Sequence, residues 1–479
     1  CQRKSFIFVL PVKYRLMMGD KWRKYLFWFA YEHVDFRIAE LESIVSMFNI
    51  QLRSIKRPDD HPYWIVELPN EDSVHKIASR AVSLRFCLQL WGHARNLDGL
   101  HEQLRKFPEE WMRPHISKDK SFKIMVETFC KHFSQKEKVE KIEAFSYLPF
   151  QGSINLRDPD TTLFYIEHYG LDSNNIPTTP KELFFGRWIA DGQRDLIAKL
   201  SLKTRKFIGN TSMDPQLSLI MANQAQIKDG DIVLDPFVGS GSLLVAASQF
   251  GGYILGTDID FLMLHARTRP SRITQKERTK DESVAANMKQ YGKGSYYLDV
   301  VVSDFSRPLW KADMRVDAIV TDPPYGIREA TERVGSSKSH PTIEEHQASS
   351  HIPSKIEYNL PQIYKDLLNF AAKHLTINGK LVCWFPLYRS QLPFQRSILG
   401  RTITEQVLSN YTSRRLLTYT KVREPEESDV MITVNIVDFR EKYFALRDDT
   451  RKERRLKRAE ERAKNKEDWE SRRRQSTER

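Results

Sequence analysis

Ile232-Val233-Leu234-Asp235-Pro236-Phe237-Val238-Gly239-Ser240-Gly241-Ser242 is the run from which the fold can be read. Three apolar residues make a short buried strand. An acid ends it, a glycine-rich turn follows, and Leu243 to Gln249 continues as a helical stretch. A glycine turn between a parallel strand and a helix lets a ligand approach the backbone closely. Downstream, Tyr253-Ile254-Leu255-Gly256-Thr257-Asp258 reads as a second strand ending in an acid. Asp258 follows Asp235 by about 20 residues, the spacing at which a carboxylate reaches a ribose hydroxyl pair. A third strand, Leu298 to Val302, ends at Ser303-Asp304, and a fourth, Ala318-Ile319-Val320-Thr321, ends at Asp322. Ligands of open α/β sheets bind outside the carboxyl ends of the strands. Four strands therefore deliver four aspartates to one edge.

Each of Asp235, Asp258 and Asp304 has a plainer reading as the N-cap of a following helix. Taken together, in this order, the ligand-binding reading is the stronger. A dinucleotide dehydrogenase competes, but its fingerprint wants a third glycine where this chain has Leu244.

The fourth strand runs into Asp322-Pro323-Pro324-Tyr325. Each proline pushes the residue before it into an extended conformation. Pro324 has no N–H. The Asp322 carboxylate and the Pro323 carbonyl then present two acceptors that match the two hydrogens of a flat amino group. An aromatic amine is a poor nucleophile because its lone pair is delocalised into the ring. Two acceptors favour the pyramidal form and disperse the charge that develops during attack, which is transition-state electrostatics. Tyr325 supplies a stacking face worth roughly 1–3 kcal/mol per base. A Pro-Pro turn capping a buried strand is the plainer alternative. The tetrapeptide does not choose among adenine N6, cytosine N4, guanine N2 and a glutamine amide.

The chain has 479 residues, enough for two or three domains. Its net charge of +13 suits a polyanionic partner. Cys1, Cys87, Cys130 and Cys383 form no Cys-x-x-Cys pair, which argues against a disulfide framework and a structural zinc site and fits a reducing, cytoplasmic compartment. Cys383, in Leu381-Val382-Cys383-Trp384-Phe385, is expected in the core. No apolar run reaches the roughly 18 residues that span a bilayer. Phe6 to Leu10 imitates a signal peptide but is short and lacks a small-residue cleavage site.

Residues 24–185 mix strand-like runs, such as Tyr25 to Phe29 and Trp64 to Leu68, with amphipathic stretches such as Phe36 to Phe48, as an α+β module does. Arg113, Lys118, Lys120 and Lys123 are candidate RNA contacts or solvated surface charges. Arg187 and Trp188 are either a guanidinium-and-ring pair for RNA or an interdomain packing pair. Ala330 to Glu357 is polar and rich in Ser and His, and is expected to be a mobile lid; His340, His346 and His351 lack metal-site spacing. Tyr358 to Leu375 reads as a helix with Gly379 at its end, Lys380 to Phe385 as a fifth strand, and Leu416 to Val422 with Met431 to Phe439 as a closing hairpin. From Arg447 the chain is charged, basic residues outnumbering acidic ones, with little to bury.

The ordered aspartates and the tetrapeptide resemble the class I S-adenosyl-L-methionine-dependent amino-methyltransferases. The resemblance implies that Asp235, Phe237, Gly239 and Gly241 cradle the methionine end of the cofactor, that Asp258 binds the ribose, and that Asp304 lies near the adenine. Longer strings are more specific: Leu90-Trp91-Gly92-His93, Phe185 to Arg194, Phe207 to Asp214 and Asp322 to Glu329. They are similar to the catalytic subunits of the eukaryotic tRNA guanosine-10 N2-methyltransferases, over about residues 24 to 440.

That family implies a Rossmann-like, seven-stranded α/β methyltransferase sheet preceded by an α+β ferredoxin-like and THUMP region. The expected boundaries are a leader at 1–23, a ferredoxin-like module at 24–110, a THUMP-like region at 111–187, a linker at 188–205, the methyltransferase domain at 206–443 and a charged tail at 444–479. Residues 1–16, opening on Cys1 ahead of Met17-Met18, are expected to be upstream sequence rather than native protein. Thr211 and Ser212 would approach the cofactor carboxylate, although Ser212 also suits the N-cap of the next helix. Asp322 and Pro323 would activate the amino group, and Pro324, Tyr325, Arg187 and Trp188 would meet the substrate. The partners implied are tRNA and a small zinc-binding activator subunit, with no membrane, no DNA and no metal in this chain. Two alternatives remain: an adenine N6-methyltransferase on DNA or RNA, and an RNA-binding protein with a decayed catalytic half.

Overall fold

The computed structural model describes residues 22–58, 61–279, 281–307, 309–336, 353–388, 404–409, 412–426, 439, 443 and 444. The leader before Trp22, the three lid histidines, Met431 to Asp438 of the expected hairpin and the tail beyond Phe444 lie outside the described residues.

The chain divides into two compact units that do not follow chain order. One takes Cys1–Ala30, Phe48–Arg80 and Leu84–Gly192; the other takes Tyr31–Met47, Ala81–Ser83 and Gln193–Arg479. The stretch expected as 24–110 is thus shared between them.

The first unit is built on one seven-stranded sheet: β1 (Arg23–Phe29), β2 (Arg53–Lys56), β3 (Tyr63–Leu68), β4 (Leu84–Ala94), β5 (Phe122–Phe129), β6 (Thr161–His168) and β7 (Glu182–Asp191), in the order β2-β3-β1-β4-β7-β6-β5. β4 pairs with β7, so the expected 24–110 and 111–187 regions share a single sheet. β7 lies inside the sheet, between β4 and β6, is rich in aromatics and runs on to Asp191, so the first residues of the expected linker are strand. Aromatic and β-branched residues favour such a doubly covered strand. Two apolar clusters cover it, one around Trp91, Phe145 and Phe185, the other around Trp28, Phe86 and Phe184. Arg113 pairs with Glu109 at 3.2 Å and Lys120 with Asp160 at 3.6 Å.

The second unit carries β8 (Ile232–Asp235), β9 (Tyr253–Asp258), β10 (Tyr297–Val302), β11 (Val316–Thr321), β12 (Glu332–Val334), β13 (Lys355–Glu357), β14 (Leu375–Tyr388), β15 (Glu405–Val407) and β16 (Thr412–Thr420). Its main sheet has the order β10-β9-β8-β11-β14-β16-β15. The first five strands are parallel, and β16 runs antiparallel to both its neighbours, β14 and β15. Successive strand side chains point to opposite faces, and a parallel sheet must be covered on both. Val233, Ala318, Val320, Val382 and Trp384 accordingly join one core, which includes the helices Pro215–Gln224 and Ser242–Gln249. Leu234, Ile319, Leu381 and Cys383 join the other, under the helix Leu360–His374. Cys383 is buried, as its setting suggested.

Three sequence readings shift. Gly379 does not end the helix but lies within β14, which begins at Leu375. The strand placed at Leu416 begins at Thr412 and pairs with β14 and β15. The ends of the expected lid pair as a two-stranded ribbon of β12 and β13, which gives their backbone hydrogen bonds partners.

Candidate active site

The parallel strands β8, β9, β10 and β11 bring Asp235, Asp258, Asp304 and Asp322 to one edge, and none of them caps a helix among the described residues. The caps are Asp214, Gly241 and Asp260 for the helices that follow. The cap that Ser212 also suited is supplied by Asp214, which accepts from the Leu217 N–H at 3.1 Å ahead of Pro215. Proline at the first helical position is preset for the helix and lacks only a donor that would be orphaned.

Two cavities meet at this edge. One, of about 350 Å³, is bordered by Ser212, Asp235, Gly239, Asp322, Tyr325 and Arg414. The other, of about 310 Å³, is bordered by Asp258, Asp304, Lys355 and Tyr358. Phe237, Gly239, Pro324, Arg328 and Glu329 border both. The combined space suits a long ligand with hydroxyls at one end and a cation at the other.

The glycine turn explains its residues. Gly239 and Gly241 have φ of 48° and 77°, a region that glycine enters without steric cost. A Cβ on Gly241 would come within 2.7 Å of Val284. Asp258 holds the turn from below: its carboxylate accepts from the Gly239 N–H at 2.8 Å and the Asp260 N–H at 2.9 Å. Burial raises its pKa against those bonds. Asp235 accepts through Oδ1 from the Thr321 hydroxyl at 2.7 Å and the Phe237 N–H at 3.1 Å. Burial pushes its carboxyl up to about 7, helped by the charges of Asp258 and Asp322. Asp304 accepts from the N–H groups of Ser306 at 2.9 Å and Val334 at 2.8 Å, tying β12 to the edge of the second cavity.

At the other end of the first cavity, Ser212 accepts from the Gly209 N–H at 2.8 Å and shares a 2.5 Å hydrogen bond with Ser240. The Thr211 hydroxyl donates to Glu329. Asp322 is bracketed: the Tyr325 hydroxyl donates to its Oδ1, and Arg414 Nη1 donates to its Oδ2 at 2.7 Å. Burial raises the Asp322 pKa, and the Arg414 charge opposes the rise.

Arg187 and Trp188 are not among the residues of this edge. They stand on β7 of the other unit. The Arg187 side chain is buried, donating to Gln89 at 3.2 Å and paired with Glu71. Trp188 donates to Asp191 at 2.8 Å. A guanidinium whose donors are used inside a core has little left for a ligand.

Arg414 and Gln406 are the site residues that the sequence reading missed. Arg414 has one signal, the arginine pair directly ahead of the apolar run at Leu416, and Gln406 has none.

A parallel-centred sheet of this order, with a glycine turn after β8 and an Asp-Pro-Pro-Tyr after β11, defines a methyltransferase. Residues 203–340 match the RMKL-like methyltransferase domain, and residues 23–194 match the Tmrp11 THUMP N-terminal domain. The chain is 44% identical over 437 residues to tRNA (guanine(10)-N(2))-methyltransferase TRMT11 of Bos taurus, covering 88% of this chain and 95% of that protein. Identity to the Homo sapiens protein of the same name is 43% over 440 residues, with 88% and 95% covered. For the Dictyostelium discoideum protein it is 34% over 438 residues, with 85% and 83% covered. The chain belongs to the TRMT11 family of tRNA (guanine(10)-N(2))-methyltransferases.

Proposed function

We propose that this chain transfers a methyl group from S-adenosyl-L-methionine to the exocyclic N2 of a guanosine in tRNA, at position 10 by analogy with its relatives. The observation that carries the reading is the tetrapeptide Asp322 to Tyr325 opening on the same cavity as Asp235 and the glycine turn. The cofactor, when bound, supplies an electrophilic methyl group. The residues present fit it. Asp235, Ser212 and Thr211 border one end with groups for an ammonium and a carboxylate. Gly239 leaves open space where a side chain would stand. Asp258 and Asp304 offer carboxylates to ribose hydroxyls and a purine amine. Asp322 and the Pro323 carbonyl accept from the guanosine amino group and hold it toward the methyl. Pro324 and Tyr325 border the base, and the ring of Tyr325 is held by its hydrogen bond to Asp322. The target must leave its stack to reach this site, at a cost of a few kcal/mol. Backbone and shape contacts spread over the tRNA offset that cost.

Asp258→Ala should weaken S-adenosylmethionine binding by about tenfold or more, since each charge-assisted bond contributes about 1.5–3 kcal/mol. Unchanged affinity by calorimetry in a folded variant would remove Asp258 from the cofactor site.

A pH dependence follows from Asp235. Its folded-state pKa of about 7 lies above the ordinary 3.8. Between those values the native state keeps a proton that the unfolded chain releases, so free-enzyme stability falls as pH rises through the window. Cofactor binding moves the opposite way, because its ammonium needs the ionised carboxylate. Affinity should be about tenfold lower at pH 6 than at pH 8, and Asp235→Asn should flatten the profile. A flat profile in the wild type would detach Asp235 from the ammonium.

A small zinc-binding activator subunit belongs to this reading. It is supported by β10, an edge strand on which Leu298 and Val302 are 48% and 38% exposed. Edge strands of that kind need cover. A cytoplasmic site of action is also part of the proposal, supported by the three described cysteines, Cys87, Cys130 and Cys383, which form no disulfide. Mass-spectrometric nucleoside analysis of tRNA treated with enzyme, activator and labelled S-adenosylmethionine tests the whole. N2-methylguanosine is the expected product; N6-methyladenosine would favour the adenine alternative, and no product the decayed enzyme.

A further inference from the structure

Arg414 stands on β16, beside the reacting group but outside the tetrapeptide. Its side chain is 12% exposed, and its guanidinium lies 4.0 Å from the centre of the Trp384 ring. Nε donates to Gln406 Oε1 at 2.8 Å and Nη1 to Asp322 Oδ2 at 2.7 Å. The fork is thus fixed on three sides, by a ring, an amide and a carboxylate. The guanidinium also donates to the Tyr325 hydroxyl. A guanidinium has five N–H donors, so these three bonds leave others, and Arg414 borders the cavity that Asp322 and Pro323 also border.

The order of groups along this wall has chemical content. A carboxylate has two acceptor oxygens with about four lone-pair sites, and next to it stands a rigid donor. Acceptor, acceptor, donor is the complement of guanine's Watson–Crick edge, which presents the N2 and N1 hydrogens and then the O6 acceptor. Adenine presents an amino donor followed by the N1 acceptor, which would face the carboxylate oxygen and be repelled. Arg is suited to this work because its planar donors are held in a fixed fork.

We propose that Arg414 selects guanine at the reacting position by donating to O6 while Asp322 accepts from N1–H and N2–H. This rests on the guanosine reading above and goes further, because the tetrapeptide alone serves several amino groups. Gln406 is a positioning residue, holding Nε so that the fork faces the cavity.

The test uses the full chain with its activator, and tRNA carrying either guanosine or 2-aminopurine at the target position. Both bases have the N2 amino group, but 2-aminopurine lacks O6 and the N1 hydrogen. The wild type should prefer guanosine by about 10⁴-fold in kcat/KM, the scale on which a site built to hydrogen-bond a substrate group rejects an analogue lacking it. Arg414→Met, of similar length, should lose activity on guanosine far more than on 2-aminopurine, shrinking the preference at least tenfold. Arg414→Lys retains the charge beside Asp322 but not the fork, and should shrink it as well. Equal losses on both bases would overturn the proposal, as would a wild type that accepts 2-aminopurine within threefold of guanosine, a result independent of any variant's folding. A wild type that leaves guanosine N2 unmethylated would instead overturn the guanosine reading itself.

Discussion

Asp322→Ala should lower turnover on tRNA by about 100-fold or more while leaving S-adenosylmethionine binding nearly intact. The scale is that of losing one transition-state electrostatic partner. In the proposed reaction the carboxylate accepts where positive charge develops on the amino nitrogen, and its burial is opposed by Arg414 and the Tyr325 hydroxyl. Removing it leaves the Arg414 guanidinium buried without its anion, so a loss of stability accompanies the loss of rate. Asp322→Asn separates the two effects. The amide keeps one acceptor for the substrate but turns its donors toward Arg414 or Tyr325. It should retain more activity than alanine and far less than the wild type. Single-turnover methylation with saturating cofactor reads the chemistry, and calorimetry reads the cofactor. Near-normal turnover of a folded Asp322→Ala protein would sink the mechanism.

The parts of this site that could be read from sequence are those written in local pattern. A short apolar run with an acid at its end reads as a parallel strand delivering a carboxylate; β8, β9 and β11 follow that pattern with buried residues, and β10 follows it as the exposed edge strand. The glycine turn, with positive φ at Gly239 and Gly241, was legible for the same reason. What escaped depends on register between distant segments. Arg414 meets Asp322 across 92 positions of chain, because β16 runs antiparallel to β14 and sets Arg414 opposite Pro386. Nothing near Arg414 announces that pairing. The helix Arg37–Met47 misled in the opposite way. Its amphipathic pattern marks a buried face but not which core the face enters, and sequence alone groups it with its neighbours in the chain.

Cutting the chain at Lys206 should therefore prevent the methyltransferase half from folding, although every cofactor motif lies beyond the cut. The reason is in the segments that the second unit takes from the N-terminal third, Tyr31–Met47 and Ala81–Ser83. Phe36 packs edge-on against Trp384, and Val82 joins the same core. Glu40 is fully buried. Its Oε1 accepts from the Val82 N–H at 2.8 Å and Asn223 Nδ2 at 2.7 Å, and its Oε2 from the Ser83 N–H at 3.0 Å and the Ser83 hydroxyl. Ser43 donates to the Asn223 carbonyl at 2.9 Å, and Gln226 donates to the Ser43 carbonyl at 3.0 Å. Removing these segments takes away the buried side chains Phe36, Leu41, Ile44 and Val82 and the burial they provide, each worth roughly 1.5–3 kcal/mol. That sum approaches the whole stability of an ordinary domain, about 5–15 kcal/mol. The cut protein should show no cooperative melt, whereas the full chain should melt cooperatively. A single substitution isolates the clamp. All four partners of Glu40 donate, so Glu40→Gln sets an NH2 among donors and should cost about 3 kcal/mol or more, the scale of an uncompensated buried polar group. Cooperative melting of the cut protein within a few degrees of the full chain would show that these segments are passengers. A Glu40→Gln protein as stable as wild type would show that the clamp holds nothing.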